Sequence, residues 1–420
     1  MSVSSPMSSS VSPLAPASFP SLPPIAGLQI GTLAAGLRYQ QRADLMVAFV
    51  PVGATAAAVF TQSLCPSAPV DWCRQMLASE AGPGEVRAIV CNAGNANAFT
   101  GQAGWISAEV TANAIARALD VAARQVLLAS TGVIGETLDD DQMAAAMPKL
   151  AAARVPAEGA VWEEAARAVS TTDTFAKGAG HQGNGWAVTG FAKGSGMIAP
   201  DMATMLGFVF TDLAATAEVL HQCLSESVPG SYNAITVDSD TSTSDTVFLV
   251  STGMVDADNP ITSTADPRYA ALAEAVTAVN LDLAHQIVRD GEGASKFIEI
   301  TVTGAESDAS AAVIGRSIAN SPLVKTAIGA ADANWGRVVM AVGKAGQPAL
   351  RDALEIWMGP EQVTEGGWVR DGYSEERATE HLQQDDVQIK IDVGVGTGTA
   401  TIWTCDLTHR YIDINASYRS

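Results

Sequence analysis

Apolar positions along the chain fall into two alternating textures. Short runs at 45–52, 86–91, 126–129, 205–210, 247–251, 297–302 and 387–393 are rich in apolar residues, continuous or alternating, over strand-like lengths and predict β-strands. Ala-rich stretches between them carry apolar residues at helical spacing. They predict helices over 106–119, 140–153, 162–169, 213–226, 267–288, 309–319 and 334–342. The alternation of the two predicts an α/β or α+β domain. No fixed-period repeat is visible. Residues 1–25 break the pattern: Ser and Pro dominate there, and the expectation is a disordered tail.

Composition narrows the class. The chain has 420 residues, 47% of them hydrophobic, which is enough to build a sizeable core. With 24 Lys+Arg against 45 Asp+Glu, the net charge is −21, which argues against a nucleic-acid surface. No apolar run approaches the roughly 20 residues of a membrane span. The first 25 residues carry no Lys or Arg, so no secretory signal is expected and the site of action is expected to be cytoplasmic. Cys65, Cys73, Cys91, Cys223 and Cys405 are scattered without a CxxC pair, as expected of reduced thiols. His181, His221, His285, His381 and His409 are isolated, so no metal site is expected.

Several motifs fail on their spacing. No GxxxxGK[ST] or GxSxG sequence occurs. VGVGTGT at 393–399 has no helix pattern after it and reads as a Gly-bearing strand or hairpin. DSDTSTSD at 238–245 starts like a calcium loop, but Thr243 and Leu249 occupy the positions of the turn glycine and the bidentate glutamate.

What remains is Thr204, preceded by the small residue Ala203 and by a Gly-rich approach that ends at Pro200. Thr204 fits two readings: an ordinary β-branched strand residue, or a self-processing nucleophile. In the second, its hydroxyl attacks the Ala203 carbonyl and the peptide becomes an ester. Water then releases an α-amine that serves the same hydroxyl as general base. An α-amine titrates near ~8, so no histidine is required.

KGSGMIAPDMATML at 193–206 resembles the signature of the ornithine acetyltransferases (glutamate N-acetyltransferases) of arginine biosynthesis. Further matches follow in the family's order: NAGNANAFTG at 92–101, STGVIG at 130–135, TTDTFAK at 171–177, ITVDSDTSTSDT at 235–246, DGEGASK at 290–296, NWGR at 334–337 and DINASYRS at 413–420. The resemblance covers residues 25 to 420. It implies an αββα-type sandwich made of two chains after cleavage at Ala203–Thr204, residues 26–203 and 204–420 forming one composite catalytic domain. It implies Thr204 as nucleophile and Thr131 and Gly132 as the oxyanion hole. Thr172, Lys193, Thr204, Glu292, Asn415 and Ser420 become substrate contacts. The implied reaction is ping-pong transfer of an acetyl group from N-acetylornithine to glutamate, without metal or organic cofactor, by an α₂β₂ heterotetramer. Some members also take acetyl-CoA as donor. The chain departs from the family's usual residues at Ser239 (Gly), Ser244 (Asn) and Ala333 (Pro).

Two other readings stand beside this one. A self-processing aminopeptidase or amidase of the same fold would release its acyl group to water. An uncleaved, non-catalytic binding protein would remain a single chain.

Overall fold

The computed structural model describes residues 11–78, 84–199 and 205–416. The elements up to residue 193 are β1 (Gln29–Leu33), β2 (Leu45–Phe49), β3 (Thr55–Phe60), α1 (Ala68–Leu77), β4 (Ala88–Asn95), α2 (Gly101–Leu119), β5 (Val126–Val133), α3 (Asp140–Ala152), β6 (Val155–Pro156), α4 (Val161–Ala168), β7 (Lys177–Gln182) and β8 (Ala187–Lys193). There follow β9 (Leu206–Leu213), α5 (Ala217–Ser227), β10 (Ile235–Thr236), β11 (Thr246–Val255) and α6 (Tyr269–Arg289). The strands assemble into two five-stranded mixed sheets, ordered β5-β4-β2-β1-β6 and β3-β11-β9-β8-β7. Within them β4 runs parallel to β5, and β9 parallel to β11.

Side-chain alternation stacks the two sheets. From the second sheet, Phe191, Phe208, Phe210 and Phe248 share one face and belong to the same connected core as Leu45 and Val47, which share a face of the first sheet. Their neighbours Val188, Val209, Val247 and Leu249 point the other way, onto α5 and α6. Helices α2 and α3 pack on each other and on the first sheet. Trp162 of α4 closes one side of the sandwich against Phe191 and Phe210. The result is the four-layer αββα arrangement.

Residues from 297 onward build a further body. It contains β12 (Phe297–Ala305), α7 (Asp308–Ala319), α8 (Pro322–Gly329), α9 (Trp335–Gly343), β13 (Glu355–Met358), β14 (Glu361–Glu365), β15 (Trp368–Val369), α10 (Glu375–Leu382), β16 (Asp386–Asp392), β17 (Gly398–Cys405) and α11 (His409–Asn415). Its seven-stranded sheet runs β10-β17-β12-β16-β13-β14-β15 and has its own core of Ile298, Ile300, Ile314, Ile389 and Ile402. This third sheet is an addition to the expected sandwich. Its β10 is contributed from within the sandwich half and pairs in parallel with β17.

The strand and helix runs predicted from periodicity all coincide with observed elements, with shifted ends. Leu213 closes β9 rather than opening α5, because Thr216 caps the helix by accepting from the Val219 N–H.

One expectation is corrected. Residues 11–25 are not a loose tail. The Ser12 N–H donates to Thr174 Oγ1 at 2.9 Å, and Leu14 is buried. Phe19 and Leu22 lie so close over β7 that a Cβ at Gly178 would approach the Phe19 ring to 2.4 Å. The Ser/Pro composition hides four apolar anchors: Leu14 and Ile25 are buried, and Phe19 and Leu22 press on the glycines of β7. Residues 1–10 lie outside the described residues.

Candidate functional site

A cavity of about 110 Å³ opens where the C-terminal end of β5, the end of β8, the 238–245 loop and helix α11 converge. Of the residues expected to act, Thr131, Gly132, Thr172, Lys193, Glu292 and Asn415 all line it. They come from five separate places in the sequence. Ala203, Thr204 and Ser420 lie outside the described residues.

The parallel pairing of β4 with β5 delivers Thr131 and Gly132 to the rim. Gly132 has φ of 129°, and a Cβ there would sit 2.2 Å from the Gly94 carbonyl carbon. Only glycine lets the two strand ends approach this closely. Lys193, at the end of β8, is 4% exposed and donates from Nζ to Thr131 Oγ1 at 3.0 Å. Because an ammonium can only donate, the threonine oxygen accepts there and its own proton is left to donate elsewhere.

Below Lys193 lies a fully buried ion triad. Lys177 Nζ donates to Asp173 Oδ1 at 2.7 Å and to Asp290 Oδ2 at 2.6 Å. Asp173 also accepts the Gly194 N–H at 2.7 Å, which fixes the backbone immediately after Lys193. Thr172 shares a 2.7 Å hydrogen bond with Ser195 Oγ, and the Glu292 N–H donates to the Ser195 carbonyl at 2.9 Å. Asn415, on α11, donates to Glu292 Oε2 at 2.7 Å. The C-terminal helix is thus fastened to the cavity wall.

Burial dominates the electrostatics. It lowers the Lys193 ammonium below the ordinary lysine range, against the opposing pull of Asp173. It raises the Glu292 carboxyl, against the hydrogen bond from Asn415. Burial also works against ionisation of Asp173, but Lys177 and Lys193 overcome it and hold that carboxyl well below the usual range. Burial pushes the Cys91 thiol up to about 12, so this thiol is not a nucleophile at neutral pH.

The acidic motif at 238–245 turns out to hold backbone. Asp238 accepts the Met197 N–H at 2.6 Å and the Ile198 N–H at 2.9 Å. Asp245 accepts the Met205 N–H at 2.9 Å. Ser242, Thr243 and Ser244, between the two aspartates, line the cavity. Ser239, where the resembling family usually has Gly, sits at φ 68°, in the left-handed region that favours glycine. Asp173, Ser195, Asp238 and Asp245 were missed as individual residues by sequence reasoning. Their signal was present only as membership of the motifs at 171–177, 193–206 and 235–246. Among the described residues, no group of three or more His, Cys, Asp and Glu side chains is placed to hold a metal ion.

Fold and cavity together define an αββα sandwich, extended by a third sheet, with a polar, cation-bearing pocket at the strand ends. The chain belongs to the ArgJ family, whose model matches residues 29–420. It is similar to the "Arginine biosynthesis bifunctional protein ArgJ" of Brucella suis biovar 1 (strain 1330), at 51% identity over 99% of this chain and 100% of that protein. The protein of the same name from Agrobacterium fabrum (strain C58 / ATCC 33970) is 50% identical over 99% of this chain and 100% of its own length. Among solved structures, the arginine biosynthesis bifunctional protein argJ of Bacillus halodurans is 42% identical. It has a TM-score of 0.49, covering 51% of this chain and 100% of that one. The ornithine acetyltransferase of Mycobacterium tuberculosis, solved in complex with ornithine, is 35% identical. Its TM-score is 0.36, over 42% of this chain and 92% of that one. No helix among the described residues is long and apolar enough to cross a membrane.

Proposed function

We propose that this chain is a self-processing acetyltransferase of arginine biosynthesis that moves an acetyl group from N-acetylornithine to glutamate. The observation that carries the reading is convergence. Six residues assigned by motif resemblance, scattered from 131 to 415, line one cavity. Membership of the ArgJ family over residues 29–420 supports the same reaction.

Processing comes first. The Thr204 hydroxyl attacks the Ala203 carbonyl, the C–N bond breaks, and water hydrolyses the resulting ester. This leaves an Ala203 carboxylate and a free Thr204 α-amine. In turnover, the Thr204 oxygen attacks the acetyl carbonyl of N-acetylornithine while its proton passes to the α-amine. Donors from Thr131 and Gly132 meet the oxyanion. Collapse breaks the acetyl C–N bond, the α-amine returns the proton to the departing nitrogen, and ornithine leaves. The amine of glutamate then attacks the acetyl–Thr204 ester. It gives up a proton to the α-amine, and the threonine oxygen departs and recovers that proton. N-acetylglutamate and the free enzyme result.

Lys193 is the cation for the amino-acid carboxylate, and it also holds Thr131 by its oxygen so that the hydroxyl proton can donate into the cavity. Glu292, steadied by Asn415, is the partner for the ornithine ammonium. Ser420 completes the contacts. The two pieces assemble as an α₂β₂ heterotetramer, no metal or organic cofactor takes part, and acetyl-CoA is a second donor.

The test starts on a denaturing gel. The wild-type chain of 43.3 kDa should give two bands, pieces of 203 and 217 residues, and Thr204→Ala a single inactive one. Incubation of wild type with N-acetylornithine and glutamate should yield ornithine and N-acetylglutamate in equal amounts. Acetate without N-acetylglutamate would favour a hydrolase. An uncleaved, inert wild type would favour a binding protein.

A further inference from the structure

Asp173, Lys177 and Asp290 put three charges into the protein interior, and none of them lines the cavity of about 110 Å³. Packing does not call for charges there. Apolar residues of similar volume are often as stable as a buried ion group, whose members must be desolvated. Breaking such a group is costly, but that explains why all of it is kept, not why it is there.

Asp173 carries more of the site than the other two. Its Oδ2 accepts the Thr171 N–H at 3.0 Å. Its Oδ1 accepts the Gly194 N–H at 2.7 Å as well as Lys177 Nζ. Thr172 follows Thr171, Lys193 precedes Gly194, and both line the cavity. One carboxylate therefore ties together the two backbone segments that present these side chains. The hydrogen bond between Thr172 and Ser195 Oγ joins the same segments at 2.7 Å. Gly194 has φ of 153° and no side chain to hold it, so the turn that ends β8 leans on its amide bond to Asp173. The placement of that turn decides where Lys193 Nζ reaches, which is 3.0 Å from Thr131 Oγ1.

Asp173 also supplies charge. A buried ammonium gives up its proton readily unless a counter-charge is near, and Lys193 is buried. The groups that act on it are Asp173, Lys177 of β7, Cys91 of β4, Asp245 at the entrance to β11, and Glu292 of the cavity wall. After burial itself, Asp173 acts most strongly and favours the ammonium, while Lys177 opposes it. The triad holds two carboxyls for one ammonium, and Lys193 supplies the second cation.

We propose that Asp173 is the positioning residue of the carboxylate-binding site: it seats the Lys193 side chain against Thr131 through the Gly194 amide, and it serves as the counter-charge of Lys193 until a substrate carboxylate takes over. The proposal rests on the assignment of Lys193 to the substrate carboxylate.

Asp173→Asn removes the charge. Its Oδ1 still serves Gly194, but its NH₂ cannot accept from Thr171. KM for both N-acetylornithine and glutamate should rise on the order of tenfold, as expected when a binding group is modestly misplaced. A variant that merely lost folded enzyme would lower kcat and leave KM unchanged. The alkaline limb of kcat/KM should also move to lower pH by about 1 pH unit, because the ammonium loses its proton sooner without the anion beside it. Asp290→Asn is the companion variant. Asp290 holds Thr174 and Lys177 and makes no hydrogen bond to residues 193–195 among the described residues. Its loss should lower the Tm and leave the alkaline limb in place. Asp173→Glu keeps the charge and displaces the amides. It should raise KM without moving the limb, and it carries the test if the Asn variant does not fold, as thermal unfolding shows. In Asp173→Asn, either a KM within about threefold of wild type for both substrates or an unmoved alkaline limb overturns the proposal. An equal shift of the limb in Asp290→Asn overturns it too, since the effect would then belong to the whole triad. If Lys193→Met leaves KM unchanged for both substrates, it is the assignment of Lys193 that fails, whatever Asp173 does.

Discussion

Replacing Lys193 by Met keeps the length and volume of the side chain and deletes only its charge and its donors. Lys193 is 4% exposed, and its Nζ stands 3.0 Å from Thr131 Oγ1 inside the cavity wall. A charge-assisted contact to a substrate carboxylate in such a place contributes about 1.5–3 kcal/mol. At about 1.4 kcal/mol per factor of ten, KM for both N-acetylornithine and glutamate should rise roughly 10- to 150-fold. The same change leaves the Thr131 hydroxyl without its fixed donor. Its rotor is freed, and kcat should fall as well, by less than the 10²–10³ typical of deleting an oxyanion donor outright. Lys193→Arg keeps the charge and should recover part of the KM effect. The assay is steady-state acetyl transfer with each substrate varied in turn, alongside thermal unfolding to confirm the fold. An unchanged KM for both substrates would remove Lys193 from carboxylate binding. An unchanged kcat would remove its action through Thr131.

Four other outcomes follow from the packing. Gly132→Ala places a Cβ 2.2 Å from the Gly94 carbonyl carbon at φ 129°. It should cost about 2–4 kcal/mol and abolish turnover, measured by urea unfolding and activity; a stable, active variant would refute the strand-end geometry. Lys177→Met strands the buried carboxyls of Asp173 and Asp290. A loss of about 3–5 kcal/mol is expected, and an unchanged urea midpoint would show that the triad does not hold the fold. Burial raises the Asp245 carboxyl well above its ordinary value, so from about pH 4 upward the folded state binds the proton more tightly than the unfolded state, and stability falls as pH rises through that window. Asp245→Asn lacks this loss, so its Tm relative to wild type should rise as pH increases from about 4; a difference constant with pH would contradict the shift. Leu14→Ala should cost about 2 kcal/mol if the N-terminal segment is docked, and nothing measurable in chemical denaturation if it is not.

Elements with strong periodicity were legible in the sequence, and those with weak periodicity were not. The run at 205–210 announces β9 because all eight residues of that strand are buried on both faces. β7 (Lys177–Gln182) was invisible because its KGAGHQ sequence carries glycines where the N-terminal segment presses on it. Residues 11–25 were misread for the complementary reason. Composition reports the average of a segment, while docking depends on a few anchors and on a surface elsewhere in the chain. The 238–245 motif shows the same division. Its acids were visible and its calcium spacing was ruled out. That Asp238 and Asp245 hold amides on the two flanks of residues 199–204 required knowing which strands they enter.

By itself, the sequence determined the α/β class, most of the regular elements and the family resemblance, and it named Thr204 as the candidate nucleophile, because periodicity and covalent chemistry are local properties. Tertiary structure alone decided that six residues between 131 and 415 share a cavity of about 110 Å³. It also decided that a third sheet closes over its own core, and that Lys193 meets Thr131 rather than solvent. These depend on strand order and crossover. The parallel pairing of β4 with β5 and the fastening of α11 to Glu292 bring distant residues within hydrogen-bond range, and no spacing along the chain records that.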